Sequence, residues 1–203
     1  MNHNYHHGDL KNALIRAGIE LLSREGVQAL TLRSVAKQAG VSHAAPYAHF
    51  ADKQALIAAI AAAGYATLYA QLATAQTARG DALERLYATA DAYLQFALDE
   101  PDHFKITFSG VVEAEKDYPD YVEQSRRCFA LVVALVADCQ ADGVIVSGDT
   151  QLIAVSIWSC MHGFVHLWLA NQLPSALLSR YAIPELLRMH LARVVPFATR
   201  RPE

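Results

Sequence analysis

The 203-residue chain has little cysteine, little net charge and few runs of strand-forming residues. Its net charge of −3 argues against a polycation that simply coats nucleic acid. The scarcity of strand-type runs, in a composition that is 53% hydrophobic and rich in alanine and leucine, predicts a mostly helical protein. The length suits one domain or two small ones with a sizeable core.

The three cysteines, Cys128, Cys139 and Cys160, cannot all pair with one another, and none shows a CxxC spacing. Cys128 and Cys139 are eleven positions apart in what reads as one helix, so about 16 Å separates them and no disulfide joins them. Free thiols with apolar neighbours are typical of a reducing cytoplasm, which is where we expect the protein.

Catalytic signatures are missing after residue 70: the sequence contains no GxSxG, P-loop, GxGxxG or HExxH pattern. An enzyme that uses His162 with Cys160 is the weakest alternative, because positions two apart on a helix point about 200° apart. We therefore expect neither an enzyme nor a cofactor. The start, MNHNYHHGDLKN, has no apolar signal-peptide core, so we expect no secretory signal.

Residues 150–179 contain no Asp, Glu, Lys or Arg and are long enough for a membrane helix. Polar side chains are spread through the stretch, however, and no Lys/Arg cluster flanks it. We therefore expect a helix buried in protein, with a membrane span as the alternative.

Helix start and stop signals predict eight to ten helices and no strand, an all-α fold. The predicted ranges are 9–26, 31–40, 42–50, 52–69, 81–99, 102–109, 120–142, 149–171 and 185–197. Residues 1–53 sum to about +2 in charge and the remaining residues to about −5, which suggests two tasks in one chain.

Residues 31–50 have the pattern of a helix-turn-helix, with two short helices separated by a tight turn and preceded by a supporting helix. Gly40 permits the positive φ that such a turn needs, and Ala36 is small where the two helices cross. Pro46 falls in the first turn of the third helix, if Ser42 or His43 is its cap, so its penalty is small.

The segment TLRSVAKQAGVSHAAPYAHFADKQAL (31–56) resembles the DNA-binding domain of TetR/AcrR-type bacterial regulators. The matching residues are Thr31, Ala36, Ala39, Gly40, Val41, Ser42, Tyr47, His49, Phe50, Lys53 and Leu56. Pro46 departs from the family pattern. The resemblance implies operator binding by a homodimer, whose third helices enter successive major grooves roughly 34 Å apart.

Chemistry then assigns roles within that segment. Phosphate contacts are expected from Thr31, Arg33, Tyr47 and Lys53, and phosphate or base contacts from Ser42 and His43. Ala44 and Ala45 suit the methyl groups of thymine, and His49 either contacts DNA or packs. Tyr5, His6 and His7 belong to an arm that lies along the backbone or minor groove, unless the arm is a disordered tail or, less favourably, a metal site.

The stretch WSCMHGF (158–164) also resembles the Trp-x-x-x-His-Gly signature of the C-terminal domains found behind such DNA-binding domains. Candidate pocket residues are Tyr93, Phe104, Phe108, Phe129, Trp158, Met161 and His162, most of which suit an ordinary core equally well. Candidate dimer residues are Phe164, Trp168, Leu187, Leu191 and Val194. His162 and His166 have helical spacing for zinc, but without a third ligand nearby we expect no metal.

The combined expectation is a cytoplasmic homodimeric repressor, not membrane-bound, that binds double-stranded operator DNA and is released by a small, largely apolar effector. Its arm would be residues 1–8, its DNA-binding domain 9–69 and its ligand-binding and dimerisation domain 70–203. The alternative is a helix-turn-helix protein that organises the chromosome.

Overall fold

The computed structural model describes residues 7–110, 112 and 118–197, with side chains from residue 10 onward. Nine α-helices lie in these ranges: α1 His7–Glu25, α2 Leu32–Gln38, α3 Lys53–Gln76, α4 Ala82–Asp99, α5 Pro101–Thr107, α6 Pro119–Ala141, α7 Thr150–Leu169, α8 Ser175–Leu178 and α9 Ile183–Val194. Two short 3-10 helices, Val27–Ala29 and Ala45–Ala48, flank α2. A single antiparallel bridge, Ile145 to Phe197, is the only extended pairing within the described ranges. The all-α prediction is confirmed.

Side-chain caps explain why α3, α4 and α7 begin where the sequence predicts. The Asp52 carboxylate accepts a hydrogen bond from Ala55 N at 2.8 Å, and that of Asp81 accepts one from Glu84 N at 2.9 Å. Asp149 caps α7 through Gln151 N at 2.9 Å. Each bond satisfies an amide that would otherwise lack a partner in the first helical turn.

Several predicted boundaries are wrong. Helix α1 begins at His7, so Asp9 lies inside it instead of capping it. Helix α3 runs to Gln76 instead of ending near Tyr69, because no glycine or proline interrupts its alanine-rich sequence after residue 64. Helix α8 was not predicted, since four residues are too few to show a helical period. The last helix begins two residues early, with Pro184 in its first turn.

The chain divides into two compact units, residues 1–67 with 100–125 and residues 68–99 with 126–203. In the first unit, α1 packs against α2 and α5. Its centre is formed by fully buried aliphatic side chains: Leu14, Leu30, Val35, Leu56 and Ile60. The sequence predicts residues 100–125 as part of the C-terminal domain, 70–203, instead.

A buried histidine joins α5 to α3 within the first unit. His103 is 3% exposed, and its two ring nitrogens lie 2.7 Å from the Glu100 carboxylate and 2.9 Å from the Ile60 carbonyl. A Cβ at Gly64 would collide with Thr107 Oγ1. The close approach of α3 and α5 therefore requires glycine at position 64.

The second unit is held together by contacts among α4, α7 and α9. Arg188 of α9 pairs with Asp91 of α4, and its guanidinium lies 5.7 Å from the centre of the Tyr87 ring. The Gln140 side chain at the end of α6 donates to two carbonyls of the following turn and accepts from Thr150. These polar contacts fix the turn that leads into α7.

The cysteines are free, as the sequence predicts. Cys128 and Cys139 are buried, and Cys160 is half-buried. Burial raises the pKa of the Cys160 thiol to about 11, and it raises that of Cys128 to about 12. Neither thiol is therefore available as a thiolate nucleophile at neutral pH.

Two helices are long and apolar enough to cross a membrane by length and composition alone, α3 and α7. Within the chain, 56% of the apolar window of α3 is buried, but only 28% of that of α7. Helix α3 is thus a core helix. Helix α7 has apolar side chains that the described part of its own chain leaves exposed, so its burial in protein stays a prediction that needs a second subunit.

Candidate DNA-binding surface and effector cluster

The N-terminus of α2 is held by a reciprocal cap. Thr31 Oγ1 accepts from Ser34 N at 2.9 Å, and Ser34 Oγ accepts from Thr31 N at 3.0 Å. The Ser34 hydroxyl also donates to Ala29 O at 2.7 Å, which ties the cap to the preceding 3-10 turn. This arrangement leaves Thr31 and Arg33 exposed beside the first turn of α2.

The turn after α2 has the geometry that the sequence predicts. Gly40 has a φ of +68°, and its amide donates to Lys37 O at 3.2 Å. The amide of Val41 donates to Ala36 O at 3.0 Å, which completes a Schellman motif. A glycine at position 40 adopts this backbone conformation without strain.

The third predicted helix is not an α-helix. Residues Ala45–Ala48 form a 3-10 helix that has Ala44 at its N-cap and no side-chain cap, so the prediction of Ser42 or His43 as the cap is wrong. Bonds of the i to i+3 type join Ala45 N to Ser42 O and Tyr47 N to Ala44 O. Pro46 lies in the first turn of this 3-10 helix, where its missing amide hydrogen costs no intrahelical bond.

We call residues 42–50 the recognition segment. Pro46 and Phe50 are buried, and Ala45 and His49 are half-buried. The exposed side chains are those of Ser42, His43, Ala44, Tyr47 and Ala48. Tyr47 is 63% exposed, whereas Phe50 is 2% exposed. The segment is therefore fixed from beneath by apolar contacts and presents small and polar groups outward.

The remaining predicted DNA contacts are less exposed. Ala45 and His49 are half-buried, and His49 Nε2 is buried without a hydrogen-bond partner in the described part of the chain. Lys53 Nζ donates to Val27 O at 3.3 Å. Tyr5 and His6 lie outside the described residues, and of His7 only the backbone is described.

In the second unit, aromatic side chains of α4, α6 and α7 form a cluster. Tyr93 OH lies 2.6 Å from His162 Nδ1, and the Tyr93 ring meets Trp158 edge-on at 5.4 Å. The Phe129 ring lies 6.4 Å from that of Trp158, and the His166 ring lies 4.3 Å from that of His162, tilted by 58°. We call Tyr93, Phe129, Trp158, His162 and His166 the effector cluster, after the role proposed for it below.

The effector cluster is mostly apolar and contains one fixed polar pair. Burial, with a smaller contribution from His166, lowers the pKa of His162 to about 4. Its ring is therefore neutral at pH 7 and available for hydrogen bonding to the Tyr93 hydroxyl. Within the described ranges, no group of three or more His, Cys, Asp and Glu side chains is arranged to hold a metal ion.

Two predicted pocket residues lie in the first unit instead. Phe104 is fully buried there and lies 4.9 Å from Phe108, which meets Tyr65 edge-on at 5.2 Å. Both rings belong to the packing of α3 with α5. Sequence position alone did not separate these aromatic side chains from those of the effector cluster.

Helix α7 also has a face that the sequence analysis overlooked. Its exposed residues follow helical spacing and mix aliphatic with very small side chains: Leu152, Val155, Ser156, Ser159, Gly163 and Leu167. Three of the predicted dimer residues, Phe164, Leu187 and Leu191, are buried in their own chain, and Val194 is 43% exposed. The recurrence of Ser and Gly every three or four positions was the available signal for this face.

Comparison with known proteins identifies both halves of the chain. The sequence model of bacterial regulatory proteins of the tetR family matches residues 14–60. The model described as the tetracyclin repressor-like C-terminal domain matches residues 86–193, more than half of the chain. The chain belongs to the TetR family.

Relatives and solved structures agree with this assignment. The chain is 25% identical over 162 residues to YobS of Bacillus subtilis, an uncharacterised HTH-type transcriptional regulator, with 79% of each protein covered. It is 46% identical over 52 residues to the class A tetracycline repressor of Escherichia coli, covering 26% of this chain and 24% of that one. A structure from Rhodococcus sp. RHA1, of a protein with unknown function, superposes with a TM-score of 0.80 at 33% identity, covering 96% of this chain and 100% of that one.

As a TetR-family member, the protein is a DNA-binding transcriptional regulator and not an enzyme. The DNA-binding family model includes α2 and the whole recognition segment. The C-terminal family model includes Tyr93, Phe129 and α7, and hence the effector cluster.

The lowered pKa of His162 predicts a pH dependence of folding. Because the folded-state pKa of about 4 lies below the ordinary value of 6.5, the unfolded chain takes up a proton here first. The stability contributed by neutral His162 is complete above about pH 6.5 and is lost as the pH falls towards 4. We expect the free energy of unfolding in urea to fall more steeply over this range for the natural chain than for His162→Gln.

His190→Gln is the matched control for this measurement, because His190 is an exposed histidine of α9. The His190→Gln protein keeps His162, so its stability should fall more steeply over this range than that of His162→Gln. Equal slopes for His162→Gln and the natural chain would contradict the assignment of a neutral, half-buried His162.

Proposed function

We propose that this regulator is a cytoplasmic homodimeric repressor that leaves its operator when a small apolar molecule binds the effector cluster. Residues 9–69 would bind DNA, and residues 70–203 would bind the effector and the second subunit. The observation that carries the DNA-binding half is the recognition segment, which exposes Ser42, His43, Ala44 and Tyr47 above buried Phe50.

The exposed groups of the recognition segment fit the two kinds of contact that a repressor needs. Ala44 offers a small apolar surface, which suits close approach to thymine methyl groups in the major groove. Ser42, His43 and Tyr47 offer hydrogen bonds to bases or phosphates. Thr31 and Arg33 lie exposed at the start of α2, where they suit the neighbouring phosphates.

Lys53 and Ala45 contribute less to DNA binding in this proposal. Lys53 already donates to Val27 O, so a phosphate contact would share its ammonium group with that carbonyl. Ala45 is half-buried and would reach DNA only at its edge. The arm residues Tyr5, His6 and His7 remain a prediction.

Two substitutions separate phosphate contacts from base contacts. Arg33→Ala should weaken binding to operator and random duplexes by similar factors and lower the slope of log affinity against log salt by about 1. Ala44→Asp should weaken the operator far more than random DNA, because its carboxylate faces base edges. Fluorescence anisotropy against an operator selected from random DNA measures both.

Arg193→Ala is the matched control, because Arg193 is an exposed arginine on α9, in the other unit. It should leave both affinities and the salt slope unchanged. The phosphate role fails if Arg33→Ala keeps the full slope, and the base role fails if Ala44→Asp weakens both duplexes equally.

The exposed face of α7 supports the homodimer. Leu152 is 65% exposed, Val155 48% and Leu167 45%, a high exposure for three aliphatic side chains on one helix. Between them, a Cβ added at Gly163 would meet no atom within 4 Å. Small residues between larger apolar ones let two helices approach closely, so we place α7 against its copy in a second subunit, with Trp168 and Val194 at the edges.

Val155→Asp should convert the dimer into a monomer, since burying an unpaired carboxylate at this face raises the dissociation constant at least about 100-fold. Analytical ultracentrifugation measures the change. Val146→Asp is the matched control, because Val146 is a similarly exposed valine, at 41%, outside α7 and α9. A Val155→Asp protein that dimerises as tightly as Val146→Asp would rule out this face.

The effector cluster supports the proposed ligand class. Its aromatic rings are apolar, and the Tyr93–His162 pair adds a neutral polar contact. Such a cluster binds an uncharged molecule with a single hydrogen-bonding group better than an ion, because no charged side chain of the cluster repays the desolvation of an ion.

An effector found by screening for release of operator DNA should depend on that polar pair. Tyr93→Phe should weaken effector binding by about 3- to 10-fold through the lost hydrogen bond, without changing operator affinity in the absence of effector. Tyr87→Phe, on the same helix but beside Arg188, should change neither. Effectors that bind Tyr93→Phe and Trp158→Phe as tightly as the natural chain would place the effector site elsewhere.

A further inference from the structure

A cleft lies within the first unit, beside the recognition segment. It has a volume of about 180 Å³ and is lined by α1, the end of the recognition segment, the first turns of α3 and the start of α6. This volume would hold roughly six waters at about 30 Å³ each. The cleft therefore suits a molecule smaller than a typical drug.

The interior of this cleft is apolar and leaves space. Ala55, Ala58 and Ala59 lie on one face of α3, where side chains without further atoms leave the cleft open. Phe50 and Tyr121, which are 2% and 7% exposed, provide aromatic walls. An occupant would therefore bury a small apolar group here.

Two opposite charges stand at the same cleft. Lys11 Nζ and Asp120 Oδ2 are 3.6 Å apart, and their side chains are 42% and 77% exposed. At this distance and exposure the pair is loose, so both groups have hydrogen-bonding capacity to spare. Together they match a molecule that carries both an anionic and a cationic group.

The cleft adjoins the end of the recognition segment. His49 and Phe50 both line it, and Phe50 is 2% exposed. An occupant of the cleft would therefore rest against the recognition segment.

We propose that this cleft binds a free α-amino acid with a small aliphatic side chain. Its carboxylate would lie at Lys11, its ammonium group at Asp120, and its side chain among the alanines and aromatic rings. Because His49 and Phe50 belong to the recognition segment, the bound amino acid would contact the DNA-reading part of the protein directly. This site is independent of the effector cluster.

Isothermal titration calorimetry of the full chain without DNA tests this site, with L-valine and L-leucine as probes. Isovalerate lacks the ammonium group of valine and isobutylamine lacks its carboxylate. We expect valine or leucine to bind with a dissociation constant below about 1 mM, and each single-charge analogue to bind at least about 10-fold more weakly than valine.

Substitutions then locate the site. Lys11→Gln and Asp120→Asn should each weaken amino-acid binding at least about 10-fold, and Ala59→Leu should abolish it by filling the cleft. Lys105→Gln and Asp102→Asn are matched controls, because Lys105 and Asp102 form another surface pair, at 3.2 Å, outside this cleft. Circular dichroism verifies that each variant is folded, and Lys11→Gln changes only a partly exposed side chain.

Three results would overturn the proposal. The first is that neither amino acid binds at about 10 mM. The second is that isovalerate binds as tightly as valine, which would remove the role of Asp120. The third is that Lys11→Gln binds valine as tightly as Lys105→Gln does. None of these results bears on the effector cluster, whose test uses different residues and different ligands.

Discussion

The burial of Phe50 and Pro46 is the constraint that fixes the recognition segment, on which the proposed DNA contacts depend. Residues 42–49 contain few side chains that could hold a fold together, and their backbone makes only short-range turns. A buried phenylalanine contributes about 1.5–3 kcal/mol, and at position 50 it fixes the end of the segment against the core of the first unit. The exposed side chains of the segment are therefore not needed for packing and are available for the proposed DNA contacts.

Helix α7 likewise has one side buried in its own unit and one side exposed. Ala154, Ile157, Met161 and Val165 bury one side of the helix in its own unit, and Leu152, Val155 and Leu167 remain exposed on the other. A soluble monomer gains nothing from such an exposed apolar face, whereas a subunit of a dimer does. The effector cluster lies on the flank of this helix through Trp158 and His162, so one helix carries both proposed activities of the second unit.

The sequence predicts those parts of the structure that depend on neighbouring residues. Thr31, Asp81 and Asp149 mark helix starts through hydrogen bonds to amides two or three positions away, and Gly40 marks a turn through its own φ. These signals are local and can be seen in the letters alone. The motif in residues 31–56 likewise identified the family, because the spacing of a helix-turn-helix is contained in one short segment.

Features that depend on distant residues could not be predicted. Tyr93 and His162 are 69 positions apart, and nothing in the sequence indicates that their side chains meet at 2.6 Å. The assignment of Phe104 to the packing of α5 on α3, and the bond of His103 to the Ile60 carbonyl, are tertiary in the same way. The prediction of an α-helix at residues 42–50 was wrong for a different reason. Both an α-helix and a 3-10 helix tolerate a proline in the first turn, and composition does not decide between them.

Genome-wide occupancy of the protein in its own cells tests most directly whether the recognition segment serves regulation. We predict a small number of occupied sites, each an inverted repeat with half-sites about one helical turn apart. Occupancy of these sites should be lost in a strain that carries Ala44→Asp. Broad coverage of the chromosome without a shared inverted repeat, or occupancy that Ala44→Asp does not change, would contradict it and favour an architectural role.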